Sequence, residues 1–128
     1  MSNNSKKARS RAAATRPIRF DQFKRQLDEV GVKNLQEIKM SDTDSIWIRL
    51  GNSIDAEDAD EFNQRLDDAA DAEEVAMVLL DYYPEATAEE QWKIYTKHGG
   101  TADQLSIIFA NATSEQAERL GKLRLKRS

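Results

Sequence analysis

The chain carries one histidine, no cysteine and 23 Asp or Glu residues, so acid–base or metal chemistry would have to be built from carboxylates around a single imidazole. That imidazole, His98, precedes Gly99 and Gly100. A helix ending there would set it against the last helical carbonyls, a structural role. The run Asp55, Glu57, Asp58, Asp60, Glu61, Asp67, Asp68 and Asp71 offers oxygen donors of the kind calcium takes. An EF-hand loop also needs a glycine at its centre, and the segment after Asp55 has none in place. It carries Ala59, Phe62, Leu66 and Ala69 at helical spacing instead, so the acids read as a solvated helix face, suited to solubility or to docking a basic partner. No carboxylate pair is marked for burial, no Ser–His–acid pattern has flanking glycines, and Gly99-Gly100 is a helix stop rather than a phosphate loop. The expectation is a protein that is not an enzyme and holds no metal or cofactor.

The elements that carry these residues are read from charge and periodicity. Residues 1–20 hold Lys6, Lys7, Arg9, Arg11, Arg16 and Arg19 and no acid. Residues 41–91 hold 16 acids against Arg49 and Arg65, and residues 118–128 hold five bases and one acid. An acidic body with basic ends can hold its own tails or meet a charged partner. Apolar residues are 39% and charged residues 33% of 128, so one modest core fits and part of the chain lies outside it. Residues 1–17 read as a disordered basic tail, 18–117 as a helical domain, and 118–128 as a basic helix end or tail.

Within the helical domain, Phe20, Phe23, Leu27 and Val30 share one helical face, with Asp21 as a cap and Gly31 as a stop. Residues 32–40 fit either a short helix or a strand, and the lack of a convincing partner strand disfavours the strand. Ser41 and Asp44 resemble a cap before Ile46, Trp47, Ile48 and Leu50, with Gly51 ending that short helix. Asp71 with Glu74, Thr87 with Glu90, Thr101 with Gln104 and Thr113 with Gln116 each have capping-box spacing before an apolar stripe. The helix holding Val75, Val78, Leu79 and Tyr82 is apolar on most sides and reads as central, with Pro84 ending it. The fold class expected is all-α: a small bundle of about six to seven short helices.

Compartment signals are few. Absence of cysteine is compatible with a reducing cytoplasm. The longest apolar run, Val75 to Leu80, is too short to span a bilayer, and the basic start lacks the apolar core of a secretory signal. That start shares arginine- and alanine-rich composition with organelle transit peptides, but has little of their amphipathic surface. Lys6, Lys7, Arg9, Arg11 and Arg16 form an electrostatic tail that could meet phosphates. The tail has no aromatic residue for stacking, and the acidic body would repel a duplex. Among the large aromatics, Tyr82 and Trp92 read as core, and Trp47 as a candidate partner anchor.

Three stretches carry a family resemblance: SDTDSIWIRLGN, DADEFNQRLDDAADAEEVAMVLLDYY and EEQWKIYTKHGGTADQLSIIFANA. Over roughly residues 40–117 they resemble the tail assembly chaperones of long-tailed, siphovirus-type bacteriophages, especially those of actinobacteria. The last stretch weighs most: a helix with a Gln-Trp or Gln-Tyr pair, here Gln91-Trp92, precedes a helix opening on a polar cap and a leucine, here Thr101 and Leu105. Many such chaperones begin with strand-like segments, whereas residues 1–39 here read as a basic tail and a helix. The resemblance implies a binding function without chemistry. Such a protein coats the tape measure protein, keeps it soluble, recruits tail tube subunits in the cytoplasm of the infected host, and is absent from the mature virion. Such chaperones are often made in two lengths through a ribosomal frameshift. Trp47, Phe62, Trp92 and Leu105 are then expected at the partner contact or in its supporting core. Self-association is compatible; a membrane partner is not expected. Two other readings stay open: a nucleic-acid-associated helical protein using the basic tail, and a structural head–tail connector.

Overall fold

The described residues of the computed structural model are 17–30, 34–52 and 56–122, the side chains of residues 27–30 excepted. Residues 1–16 and 123–128 of the basic ends, with Gly31, lie outside them, whereas 118–121 continue the last helix. The chain divides into two units, one holding helix α1 (Phe20–Val30) and the other spanning Lys33–Lys122. In α1 the rings of Phe20 and Phe23 lie 6.1 Å apart on one face, as the spacing predicts. Asp21 sits inside the first turn, ion-paired to Arg19 at 3.5 Å, rather than at the cap. An acid there still favours the helix by facing its positive end.

The second unit opens with a β-hairpin, which corrects the all-α expectation. Strand β1 (Leu35–Lys39) pairs antiparallel with β2 (Ser45–Arg49), Ile38 opposite Ile46 and Glu37 opposite Trp47. The segment read as a short helix at 46–50 is thus a strand, and it supplies the partner that residues 32–40 seemed to lack. Its residues alternate: Ile46 and Ile48 are fully buried, while Trp47 between them is half-buried. A period of two with β-branched residues inward is strand chemistry. Ser41 does use its hydroxyl as a cap would, accepting from Asp44 N–H at 3.0 Å, but the turn it stabilises closes the hairpin through Met40 N–H to Asp44 C=O at 2.9 Å.

Four helices follow: α2 (Ala56–Asp68), α3 (Ala72–Leu80), α4 (Ala88–Lys97) and α5 (Ala102–Gly121). Helix α3 packs against α2, α4, α5 and β2, the central position its apolar surface predicts. Ala76, Val78, Leu79 and Leu80 are buried there, and burying each large side chain contributes about 1.5–3 kcal/mol. Asp71 caps α3 by accepting from Glu74 N–H at 2.9 Å. The helix stops at Leu80, four residues ahead of Pro84, so the proline lies in the turn beyond and does not itself end it. Thr87 with Glu90 and Thr101 with Gln104 form complete capping boxes for α4 and α5. Gly99, at φ 85°, and Gly100 end α4 in a Schellman arrangement, donating to Thr96 and Tyr95 carbonyls at 2.9 and 3.0 Å.

The fourth box does not form. Helix α5 runs unbroken through Thr113, whose hydroxyl accepts Gly51 N–H at 2.9 Å and whose carbonyl accepts Asn52 Nδ2–H at 2.8 Å. Gly51 is therefore not a helix stop. A Cβ at that position would lie 2.9 Å from Thr113 Cγ2, so glycine permits the chain leaving β2 to approach α5. The described residues form five helices and two strands, mostly helical but not all-α.

Candidate partner-contact surface

Strand β2 has one edge toward β1 and another toward α4. At the second edge, among the described residues, no third strand follows; the side chain of Gln91 takes its place. Gln91 Oε1 accepts Trp47 N–H at 2.7 Å, and its Nε2 donates to Trp47 C=O at 3.0 Å and to Leu80 C=O at 2.7 Å. The carboxamide pairs with the strand as a peptide group would, and Gln91 is only 1% exposed. This bracket fixes Trp47. Its indole stacks on Tyr83, ring centroids 5.4 Å apart and planes 11° from parallel. Tyr83 donates its hydroxyl to Glu85 at 3.0 Å, and that carboxylate raises the phenol above its ordinary pKa. The result is a two-ring platform, half-buried and held from beneath by backbone bonding.

On the same strand Arg49 turns inward, its side chain only 4% exposed. Its guanidinium forks onto Asp58 of α2 at 3.0 and 2.5 Å and lies 4.6 Å from the Phe62 ring and 4.9 Å from the Tyr82 ring. A buried cation is tolerated where it is paired, bidentate and stacked. Arg65 covers Tyr82 at 5.3 Å while reaching Asp81 at 2.8 Å. These contacts bind α2 to the hairpin and leave Glu57, Asp60, Glu61, Asp67 and Asp68 exposed as an acidic surface.

His98 is the C-cap residue of α4, its backbone N–H donating to the Tyr95 carbonyl, but its imidazole faces the hairpin turn instead of the helical carbonyls. Its Nε2 lies 2.9 Å from Asp44 Oδ2, which Lys97 also approaches at 3.4 Å. Bonding to His98 first, then Lys97, holds the Asp44 carboxyl below its ordinary value. The triad ties the hairpin turn to the end of α4. Among the described residues no group of three or more His, Cys, Asp or Glu is placed to hold a metal ion. Ile38, Met40, Tyr95, Gly100, Ile107 and Ile108 line an open groove of about 610 Å³ beside this tie.

The four expected contact residues separate into two kinds. Phe62 and Leu105 are buried core, Phe62 meeting Tyr82 and Phe109 edge-on at 5.5 and 6.2 Å. Trp47 and Trp92 are half-buried, Trp92 packing on Tyr95 at 5.7 Å. Sequence reasoning did not single out Gln91 as a bracket, Arg49 as a buried cation or Tyr83 as the partner of Trp47. The one local signal was the alternation of Ile46, Trp47, Ile48 and Arg49, which marks a strand with one face inward. Among the described residues no helix is long and apolar enough to cross a membrane. Comparison with protein-family models, with curated proteins and with solved structures yields no match to this chain.

Proposed function

We propose that this chain is a tail assembly chaperone of a long-tailed phage. It would act by reversible protein–protein contact on the tape measure protein and on tail tube subunits in the infected bacterium, and leave before the virion is complete. The observation that carries the reading is the Trp47–Tyr83 platform held by Gln91. A rigid aromatic pair at the surface is a low-entropy anchor for an apolar side chain of a partner. Gln91-Trp92 is also the pair on which the family resemblance rests most heavily. The hairpin adds support, since many such chaperones begin with strand-like segments and two strands here precede α2 to α5. The exposed acids of α2 suit a partner with basic segments.

Co-expression with a candidate tape measure protein tests the reading. The chaperone function predicts soluble tape measure protein that co-elutes with this chain, and reduced co-elution for Trp47→Ala and Tyr83→Ala variants that keep wild-type circular dichroism. Insoluble tape measure protein beside a freely eluting chain would refute it.

A further inference from the structure

We infer that β1 pairs with β1 of a second copy of this chain, edge to edge and antiparallel, in the register that sets Glu37 opposite Lys39. The hairpin's bonding parity exposes that edge. Met40 N–H to Asp44 C=O and Leu50 N–H to Asn34 C=O share the register of the Gln36–Ile48 and Ile38–Ile46 pairs. Even-numbered residues therefore bond across the hairpin, and odd-numbered backbone groups point away from it. On β2 the outward groups of Trp47 are taken by Gln91. On β1 the outward groups belong to Leu35, Glu37 and Lys39. Among the described residues β1 has no second strand beside it, and Gln36 Nε2, donating to Glu37 C=O at 3.0 Å, is the one side chain bonded to that edge.

Charge selects both the occupant and the register. Only outward-facing residues can bond to outward-facing residues, so few pairings of two β1 strands are allowed. Pairing Glu37 with Glu37 or Lys39 with Lys39 sets like charges opposite, which destabilises a sheet. Pairing Glu37 with Lys39 sets two opposite-charge pairs across a two-fold axis at Ile38. A lysine alone on an edge strand guards against such pairing, but Glu37 two residues away supplies its complement.

The inward face agrees. In this register the two Ile38 side chains stand opposite each other on the face shared with Met40. Both residues line the open groove with Ile107, which is 61% exposed. A second strand would bring its own Ile38 against Ile38 at that groove and set its Gln36 opposite Met40, covering apolar surface now open to water.

The test is sedimentation velocity of the full chain over a range of concentrations, with amide hydrogen exchange at Glu37 and Lys39. The expected result is a monomer–dimer equilibrium in which both amides gain protection as concentration rises. Lys39→Glu should weaken the dimer about tenfold by setting like charges opposite twice. The double exchange Glu37→Lys with Lys39→Glu should restore it. Lys39→Pro removes an amide that the hairpin does not use, so it should abolish the dimer with the circular dichroism unchanged. A chain that stays monomeric to its solubility limit would overturn the proposal, as would a dimer indifferent to Lys39→Glu. Protection of these amides only on adding the tape measure protein would overturn it in favour of a strand donated by that partner.

Discussion

Removing the Gln91 carboxamide should destabilise the second unit substantially, because three bonds to backbone groups depend on it. Gln91→Leu keeps side-chain bulk and deletes all three bonds, leaving Leu80 C=O and both backbone groups of Trp47 without them. A buried backbone group deprived of its partner costs about 1–3 kcal/mol. The Leu80 bond is buried and the two to Trp47 are part-buried, so water recovers some of the loss. The sum is about 2–4 kcal/mol. For a unit of this size each kcal/mol lowers Tm by about 4–8 °C, so a drop of roughly 8–30 °C follows. Urea unfolding by far-ultraviolet circular dichroism reads the free energy, and near-ultraviolet signals read the Trp47–Tyr83 stack. Gln91→Glu sharpens the test. A carboxylate accepts Trp47 N–H but offers nothing to the two carbonyls, so its folded-state pKa rises. Stability is then present below the unfolded glutamate value of about 4.3 and lost as pH rises through the folded value. The Glu variant should therefore gain stability on acidification while the wild type loses it. A Gln91→Leu variant within about 0.5 kcal/mol of wild type would refute the reasoning, because water would then serve all three groups.

Asp58→Ala should cost about 2–3 kcal/mol in the same urea assay, since it strands a buried guanidinium; the usual 3–5 is reduced because Asp58 is a third exposed. Arg65→Ala, at a half-exposed pair, should cost under about 1 kcal/mol. Gly100→Ala would place a Cβ 2.3 Å from Tyr95 Cζ and break the Tyr95 hydroxyl's bond to Thr101 C=O, costing about 1–3 kcal/mol. Gly121→Ala, at the last residue of α5 with nothing near its Cβ, should be neutral or stabilise by less than the about 1 kcal/mol of a helix interior. Because His98 and Lys97 hold the Asp44 carboxyl below its ordinary 3.8, its contribution is present above that pH and is lost as pH falls through the lower folded value. Asp44→Asn should flatten the acid limb of a stability–pH curve. Burial raises the Tyr95 phenol above its ordinary 10.0, so stability is present below that pH and lost as pH rises through the folded value. Tyr95→Phe should remove that alkaline limb.

What could be read from the sequence was local. The caps at Asp71, Thr87 and Thr101 and the stop at Gly99 each involve residues three or four apart, so spacing alone specifies the geometry. The same chemistry misled where tertiary contacts chose a different use for it. Ser41 makes the bond a cap would make, three residues on, yet inside a hairpin turn. Thr113 and Gln116 have box spacing, yet the Thr113 hydroxyl bonds Gly51, 62 residues earlier, and the helix has no reason to break. Ile46 and Ile48 carried a period-two signal that the cap-like flanks outweighed.

The candidate surface was the least legible part because its determinants are far apart in the chain. Trp47 and Gln91 are 44 residues apart, and no property of either announces that a glutamine will complete a strand edge. The bracket also gives β2 a different fate from β1. One edge of the sheet is closed by a side chain of its own fold, which leaves Trp47 free to present its ring and not its backbone. The other edge keeps its outward amides, with a glutamate and a lysine at the spacing that suits a second copy. A two-stranded sheet is too small to stand alone. Here α3 and α4 support β2, so the hairpin can offer an aromatic platform on one side and a pairing edge on the other. Disrupting Gln91 should therefore disturb the platform and the unit's stability together. Lys39→Glu should change association while leaving both intact.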